Sequence, residues 1–145
     1  MSLGLYLHIP YCFSKCRYCD FYSAPSQRGV PRAYVDALLR ELSRFAPDAP
    51  LRPDTLYFGG GTPSLLDPAD AARLIAAAQP LPGAEITLEA NPDVVTPENL
   101  AGFAAAGVTR ISFGVQSADD AQLRRLGRTH TAAAAAQAFA WAREA

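Results

Sequence analysis

Residues 3–19 read Leu3-Gly-Leu-Tyr-Leu-His-Ile-Pro-Tyr-Cys-Phe-Ser-Lys-Cys-Arg-Tyr-Cys19. The first part is a short apolar run ended by Pro10, the pattern of a buried strand in a parallel sheet. It leads directly into a loop carrying Cys12, Cys16 and Cys19, the only cysteines in the chain. Reactive side chains placed just past the carboxyl end of a strand are the mark of an α/β fold that uses that end for chemistry.

The rest of the chain repeats the strand-then-helix pattern. After a Ser/Pro/Gly stretch from Ser23 to Pro31, Tyr34, Val35, Leu38, Leu39, Leu42 and Phe45 recur at helical spacing. Pro47, Pro50 and Pro53 forbid helix and lead into a strand at Thr55–Phe58. Asp67-Pro68 predicts an N-cap with proline at the first helical position, opening a helix to about Ala78. Glu85–Glu89 is the third predicted strand; Thr96-Pro97 opens the next helix and Gly107 closes it; Arg110–Val115 is the fourth strand. Ser117 with Asp120 predicts a capping box for a short helix, and Ala132–Ala145 is an alanine-rich helix. Four βα units in series predict a parallel sheet with right-handed crossovers, either an open doubly wound sheet or part of a barrel.

Every chemically unusual residue falls at a predicted strand's carboxyl end: the cysteines, then Gly59-Gly-Gly-Thr-Pro63, then Glu89 and Asn91-Pro92, then Gln116. Each has a bland reading. Glycines 59–61 make a tight turn on conformational grounds, or they let a ligand approach bare backbone. No Gly-Lys-Ser/Thr follows them and the second Gly-x-x-Gly of a dinucleotide fingerprint is absent, so phosphate binding is not the first choice. Glu89 needs a donor or a cation, with Arg110 one candidate for a salt bridge. Gln116 is a satisfied strand-end polar group or a ligand contact, and Arg128 alone reads as a surface arginine.

The cysteine count narrows the metal chemistry. Three thiolates leave a four-coordinate zinc site one ligand short, so a structural zinc would need His8 or His130; the same three can hold three irons of a [4Fe–4S] cluster and leave the fourth open. An odd number of cysteines separated by two or three residues argues against a disulfide scaffold. Half the residues are hydrophobic, the formal net charge is -1, and no apolar run reaches the ~20 residues of a membrane span, which points to a soluble, cytoplasmic protein. Bulk charge offers nothing to nucleic acid or anionic lipid.

Taken together, these residues resemble the radical S-adenosylmethionine superfamily, whose signature Cys-x3-Cys-x2-Cys carries an aromatic, here Tyr18, before the last cysteine. Leu5–Cys12, Tyr57–Pro63, Leu88–Pro92, and Ile111–Ser117 followed by Leu126-Gly-Arg128 are similar to the oxygen-independent coproporphyrinogen III oxidase and heme chaperone family. The resemblance implies a parallel, partial TIM-like barrel, the first four βα units of a (β/α)6 barrel. Residues 1–145 would then be the amino-terminal part of a radical S-adenosylmethionine core domain, with the rest of the barrel and a C-terminal domain beyond it. Such a piece would leave an edge strand and the inner sheet face uncovered.

The resemblance further implies that Cys12, Cys16 and Cys19 hold a [4Fe–4S] cluster whose open iron takes S-adenosylmethionine. Tyr6 and Tyr18 would lie beside the cluster and cofactor, Gly59, Gly60, Gly61 and Thr62 would bind the methionine end, and Glu89, Gln116 and Arg128 would complete the site. No residue of the chain is assigned a catalytic role of its own. An electron from the reduced cluster would split the carbon–sulfur bond and leave a 5′-deoxyadenosyl radical. The family's oxidases carry a further cysteine two residues after the third, where this chain has Phe21. That favours the heme chaperones, which bind heme and pass it to apoproteins, over the alternative, oxidative decarboxylation of porphyrinogen propionates. Implied partners are heme or a porphyrinogen, heme-accepting apoproteins and an electron donor. His8 and His130 read as motif or structural histidines.

Overall fold

A computed structural model describes residues 2–45 and 49–145. In chain order the elements are β1 (Gly4–Ile9), the short β2 (Tyr11–Cys12) and β3 (Ala24–Pro25), α1 (Arg32–Phe45), β4 (Thr55–Gly60), α2 (Pro68–Ala78), β5 (Glu85–Ala90), α3 (Pro97–Ala106), β6 (Arg110–Phe113), α4 (Asp120–Leu126) and α5 (Ala132–Glu144). Pro47 lies outside the described residues.

The main sheet is parallel throughout, in the order β1-β4-β5-β6. Each new strand is added on the same side of the last, with no reversal. An open doubly wound sheet needs such a reversal; a barrel does not. Of the two architectures the sequence left open, the structure is therefore the barrel segment. Right-handed crossovers that always advance in one direction put the connecting helices on one face. Alternate strand residues confirm this: Leu7, Ile9, Leu56, Phe58, Ile86 and Leu88 share one core with Val35 and Leu42 of α1, Leu74 of α2, Phe103 of α3 and Ala138 of α5.

The intervening residues face the other way. Tyr6, His8, Tyr57, Glu89 and Ser112 have opposite parity, and the Tyr6 side of the sheet is open enough to leave that residue 54% exposed. The apolar run at β1 thus predicts a buried strand, but the structure buries only its alternate residues. Strands β1 and β6 each have a single neighbour.

Local signals explain most boundaries. Asp67 caps α2 by accepting from the Ala69 N–H at 2.8 Å. Thr96 and Asn99 form a reciprocal capping box on α3, and Gly107 ends that helix at φ +108°. The cap of α4 differs from the Ser117 expectation. Asp119 occupies it, accepting from Ala121 N–H at 2.7 Å and Gln122 N–H at 3.3 Å. Ser117 sits too early to reach those donors and instead accepts from the Asp119 N–H at 3.0 Å. Strand β6 also stops at Phe113 rather than Val115, because the chain turns sharply there: Val115 N–H bonds Phe113 C=O and Ser117 N–H bonds Val115 C=O, both at 3.0 Å. Gln116 in that turn has φ +70°.

Candidate functional site

The cysteine loop is pinned at both ends before any side chain is considered. At its start, Gly61 N–H donates to Ile9 C=O at 2.8 Å and Thr62 N–H to Tyr11 C=O at 2.7 Å, tying the loop's entry to the end of β4. Strands β2 and β3 pair in parallel across its base, with Ala24 N–H to Pro10 C=O at 2.8 Å and Ser26 N–H to Cys12 C=O at 2.7 Å. His8 holds the returning arm: its Nε2 lies 3.1 Å from the Tyr22 carbonyl, which only accepts, so Nε2 carries the hydrogen. In the neutral ring, Nδ1 then accepts from the Tyr6 hydroxyl at 3.1 Å.

This anchoring explains two of the three glycines. A Cβ on Gly61 would sit 2.5 Å from the Tyr11 carbonyl oxygen, and one on Gly60, at φ +117°, would sit 2.6 Å from the His8 ring. The conformational and the ligand readings of this turn do not compete, because the same bare backbone that admits the loop also borders the cavity beside it.

That cavity, of about 420 Å³, is lined by all three cysteines, Tyr18, Gly60, Gly61, Thr62, Glu89, Gln116 and Arg128. Chain-distant strand ends therefore converge as the sequence led one to expect. Tyr6 and Gly59 do not line it. Tyr6 lies lower on the inner face, 6.0 Å from Tyr57 between ring centroids and nearly parallel to it, and Gly59 is the gap into which those two rings fit. A second cavity of about 430 Å³ between α3, β6 and α5 contains none of the predicted site residues.

Glu89 is not paired with Arg110. Arg110 stands opposite Thr87, two positions below Glu89, and its guanidinium bonds Glu85 at 3.2 Å. Glu89 instead accepts from the Tyr57 hydroxyl at 2.7 Å and from Gly60 N–H at 3.2 Å. Burial and the Glu89 hydrogen bond raise the Tyr57 pKa, which keeps that hydroxyl a donor.

Asn91, noted in the sequence only as a strand end, sits at the centre of the cavity's polar contacts. Its Oδ1 accepts from Arg128 Nη1 at 3.0 Å and its Nδ2 donates to Thr62 Oγ1 at 3.1 Å. Arg128 Nη2 reaches the Tyr18 hydroxyl at 2.6 Å, with the guanidinium 5.7 Å from the centre of that ring. Arg128 Nε is buried without an acceptor. The signal for Asn91 was its place two residues after Glu89; its partners lie 29 and 37 residues away, and sequence pattern does not reach that far.

The three thiols are free. Burial raises the pKa of Cys16, against the opposing pull of Arg128, so loading a metal there releases a proton. Among the described residues no three His, Cys, Asp or Glu side chains are gathered tightly enough for one ion. Neither histidine joins the cysteines: His8 is engaged by Tyr6 and Tyr22, and His130 Nε2 donates to the Val115 carbonyl at 3.0 Å. A Cys3His zinc site is therefore not assembled, whereas three cysteines spread around one cleft suit separate irons of a cluster.

The radical SAM superfamily matches this chain over residues 6–145. The mitochondrial radical S-adenosyl methionine domain-containing protein 1 of Mus musculus is 46% identical over 148 residues, covering 97% of this chain and 33% of that protein. The heme chaperone HemW of Escherichia coli is 46% identical over 134 residues, covering 88% of this chain and 35% of that protein. Among solved structures, the coproporphyrinogen III oxidase (HemN) from Escherichia coli, a radical SAM enzyme, superposes with a TM-score of 0.85 at 29% identity, covering 99% of this chain and 34% of that one. The chain spans about a third of the length of the curated relatives it matches. Among the described residues no helix is long and apolar enough to cross a membrane.

Proposed function

Because the chain belongs to the radical SAM superfamily, we propose that its three-cysteine cleft holds a [4Fe–4S] cluster with S-adenosylmethionine and serves a heme chaperone of the HemW kind. The superfamily as a whole implies both cofactors; the ligand set on this chain is our assignment. The observation that carries it is the cleft itself, which gathers all the sulfur of the chain except its single methionine beside a backbone turn free of side chains. The residues suit the group: three thiols, a glycine backbone bordering the same cleft, and a buried guanidinium nitrogen with no acceptor.

In this reading Cys12, Cys16 and Cys19 ligate the cluster. Gly60, Gly61 and Thr62 border the methionine end, and Gln116 and Arg128 close the far wall. Glu89 supports the turn through Gly60 N–H, and Tyr18 flanks the cluster. Tyr6 and Gly59, outside the cavity, act from beneath by shaping the floor on which the turn rests. When bound, the pair supplies one-electron cleavage of a carbon–sulfur bond, chemistry that belongs to the cofactors and not to the protein.

The chaperone is favoured over an oxidase by Phe21. It lines the cleft at the place where the resembling oxidases have a further cysteine, and its ring offers no ligand. Heme or a porphyrinogen, heme-accepting apoproteins and an electron donor follow as proposed partners of the full-length protein. The test is anaerobic reconstitution with iron and sulfide. A reducible [4Fe–4S] paramagnetic signal, stoichiometric heme binding and no conversion of coproporphyrinogen III are expected. Conversion in the presence of S-adenosylmethionine and reductant overturns the chaperone reading, and absence of a cluster overturns both.

A further inference from the structure

We propose that Asn91 is a positioning residue whose amide fixes two things at once: the cysteine loop, through Arg128 and Tyr18, and the direction of the Thr62 hydroxyl proton. This deepens the reading above and rests on it for the ligand.

The cysteine loop is well anchored at its base, but its tip is held by one corner of the chain. Arg17 N–H donates to Leu126 C=O at 3.2 Å, and Tyr18 OH meets Arg128 Nη2 at 2.6 Å. Arg128 is in turn oriented by Asn91, at the end of β5. A guanidinium only donates, so the amide must turn its oxygen to Arg128 and its NH2 to Thr62. Thr62 Oγ1 is then an acceptor for Asn91 at 3.1 Å, and its own proton points elsewhere. Thr62 is 1% exposed, and among the described residues no acceptor takes that proton. Thr62 lines the cleft, so the proton is presented to whatever the cleft binds, suited to a carboxylate or carbonyl oxygen. One side chain thus couples four segments: the cysteine loop, the glycine turn, the end of β5 and the corner before α5.

The two halves of this role separate by substitution in the full-length protein. Trypsin cutting after the exposed Lys15 and Arg17, followed by mass spectrometry before cluster loading, reads the loop; S-adenosylmethionine affinity after reconstitution reads Thr62. Asn91→Leu removes both bonds, and loop cleavage should rise about tenfold while affinity falls by a similar factor. Asn91→Asp keeps the acceptor for Arg128, so cleavage stays within about twofold of wild type. Its second oxygen, however, accepts the Thr62 proton and withdraws it from the cleft, so affinity still falls about tenfold. Tyr18→Phe keeps the ring over the guanidinium and removes only the hydroxyl, and should speed cleavage as Asn91→Leu does; it also decides the matter if Asn91→Leu does not fold. Unchanged cleavage in both Asn91→Leu and Tyr18→Phe overturns the loop half. Wild-type affinity in Asn91→Asp overturns the Thr62 half. If wild type itself takes up neither cluster nor S-adenosylmethionine, the functional reading fails, while the cleavage comparison still judges the clamp.

Discussion

The two faces of the same four strands differ in kind. On the helix side, Ile9, Leu56, Phe58 and Leu88 have no exposure and belong to one apolar cluster. On the inner side, one residue away along each strand, polar groups satisfy one another: Tyr6 with His8, Tyr57 with Glu89, Arg110 with Glu85. The helix side is held by burial, which any side chain of similar volume supplies. The inner side is held by directed bonds that depend on which atom donates. A step of one residue therefore separates a folding defect from a chemical one.

The largest effect tests the helix side. Phe58→Ala should cost about 3–5 kcal/mol in urea unfolding, because the ring is fully buried and the sheet and helices around it cannot collapse into the space. A loss under about 1 kcal/mol would mean that the helix layer packs loosely and that the contrast between faces is false. Next comes the seam between them. Gly61→Ala places a methyl 2.5 Å from the Tyr11 carbonyl, which is backbone and has no rotamer to yield. About 1–3 kcal/mol of destabilisation is expected, with faster tryptic cutting after Lys15 and Arg17.

The helix side was the easier to read in advance. Proline and glycine punctuation framed three of the main sheet's four strands, and Asp67 and Thr96 marked their helices because a cap is a local bond between near neighbours. Direction of winding was legible only through the family resemblance, since nothing local records on which side the next strand joins. On the inner side, residue identities drew attention to Glu89, Gln116 and Arg128, but their partners did not follow. Arg110, on the next strand, was one candidate mate for Glu89; parallel register set it against Thr87 instead. Asn91 stayed hidden because its role exists only through Thr62 and Arg128. The Ser117 expectation failed for a local reason, Asp119 being the stronger acceptor at the position the first turn actually offers.

A smaller effect tests the inner side. Glu89 accepts from two donors, Tyr57 OH and Gly60 N–H, so Glu89→Gln sets its own NH2 against one of them. Water reaches this face, and the stability loss should be only about 1 kcal/mol. Affinity of the reconstituted protein for S-adenosylmethionine should fall by a much larger proportion, because Gly60 borders the cleft. A loss of stability equal to that of Phe58→Ala, with affinity intact, would reverse the assignment of roles.

The smallest effect lies where neither face is involved. Arg73 joins the outer surfaces of α1 and α2, reaching Asp36 and Asp70 at 2.8 Å each. Its hydrogen bond holds the Asp36 carboxyl below the ordinary value of 3.8. A lowered carboxyl contributes stability that is fully present above that ordinary value and is lost as pH falls through the lowered one. Arg73→Ala should therefore differ from wild type by a constant small amount from neutral pH down to about pH 4, and the gap should close in more acid solution or in high salt. Urea titrations at pH 7 and at successively lower pH, until the carboxyl is protonated in the folded protein, read this directly. A gap that persists in acid belongs to the arginine stem lying across two helices, which would make this seam part of the helix-side packing and not an ionic feature of the surface.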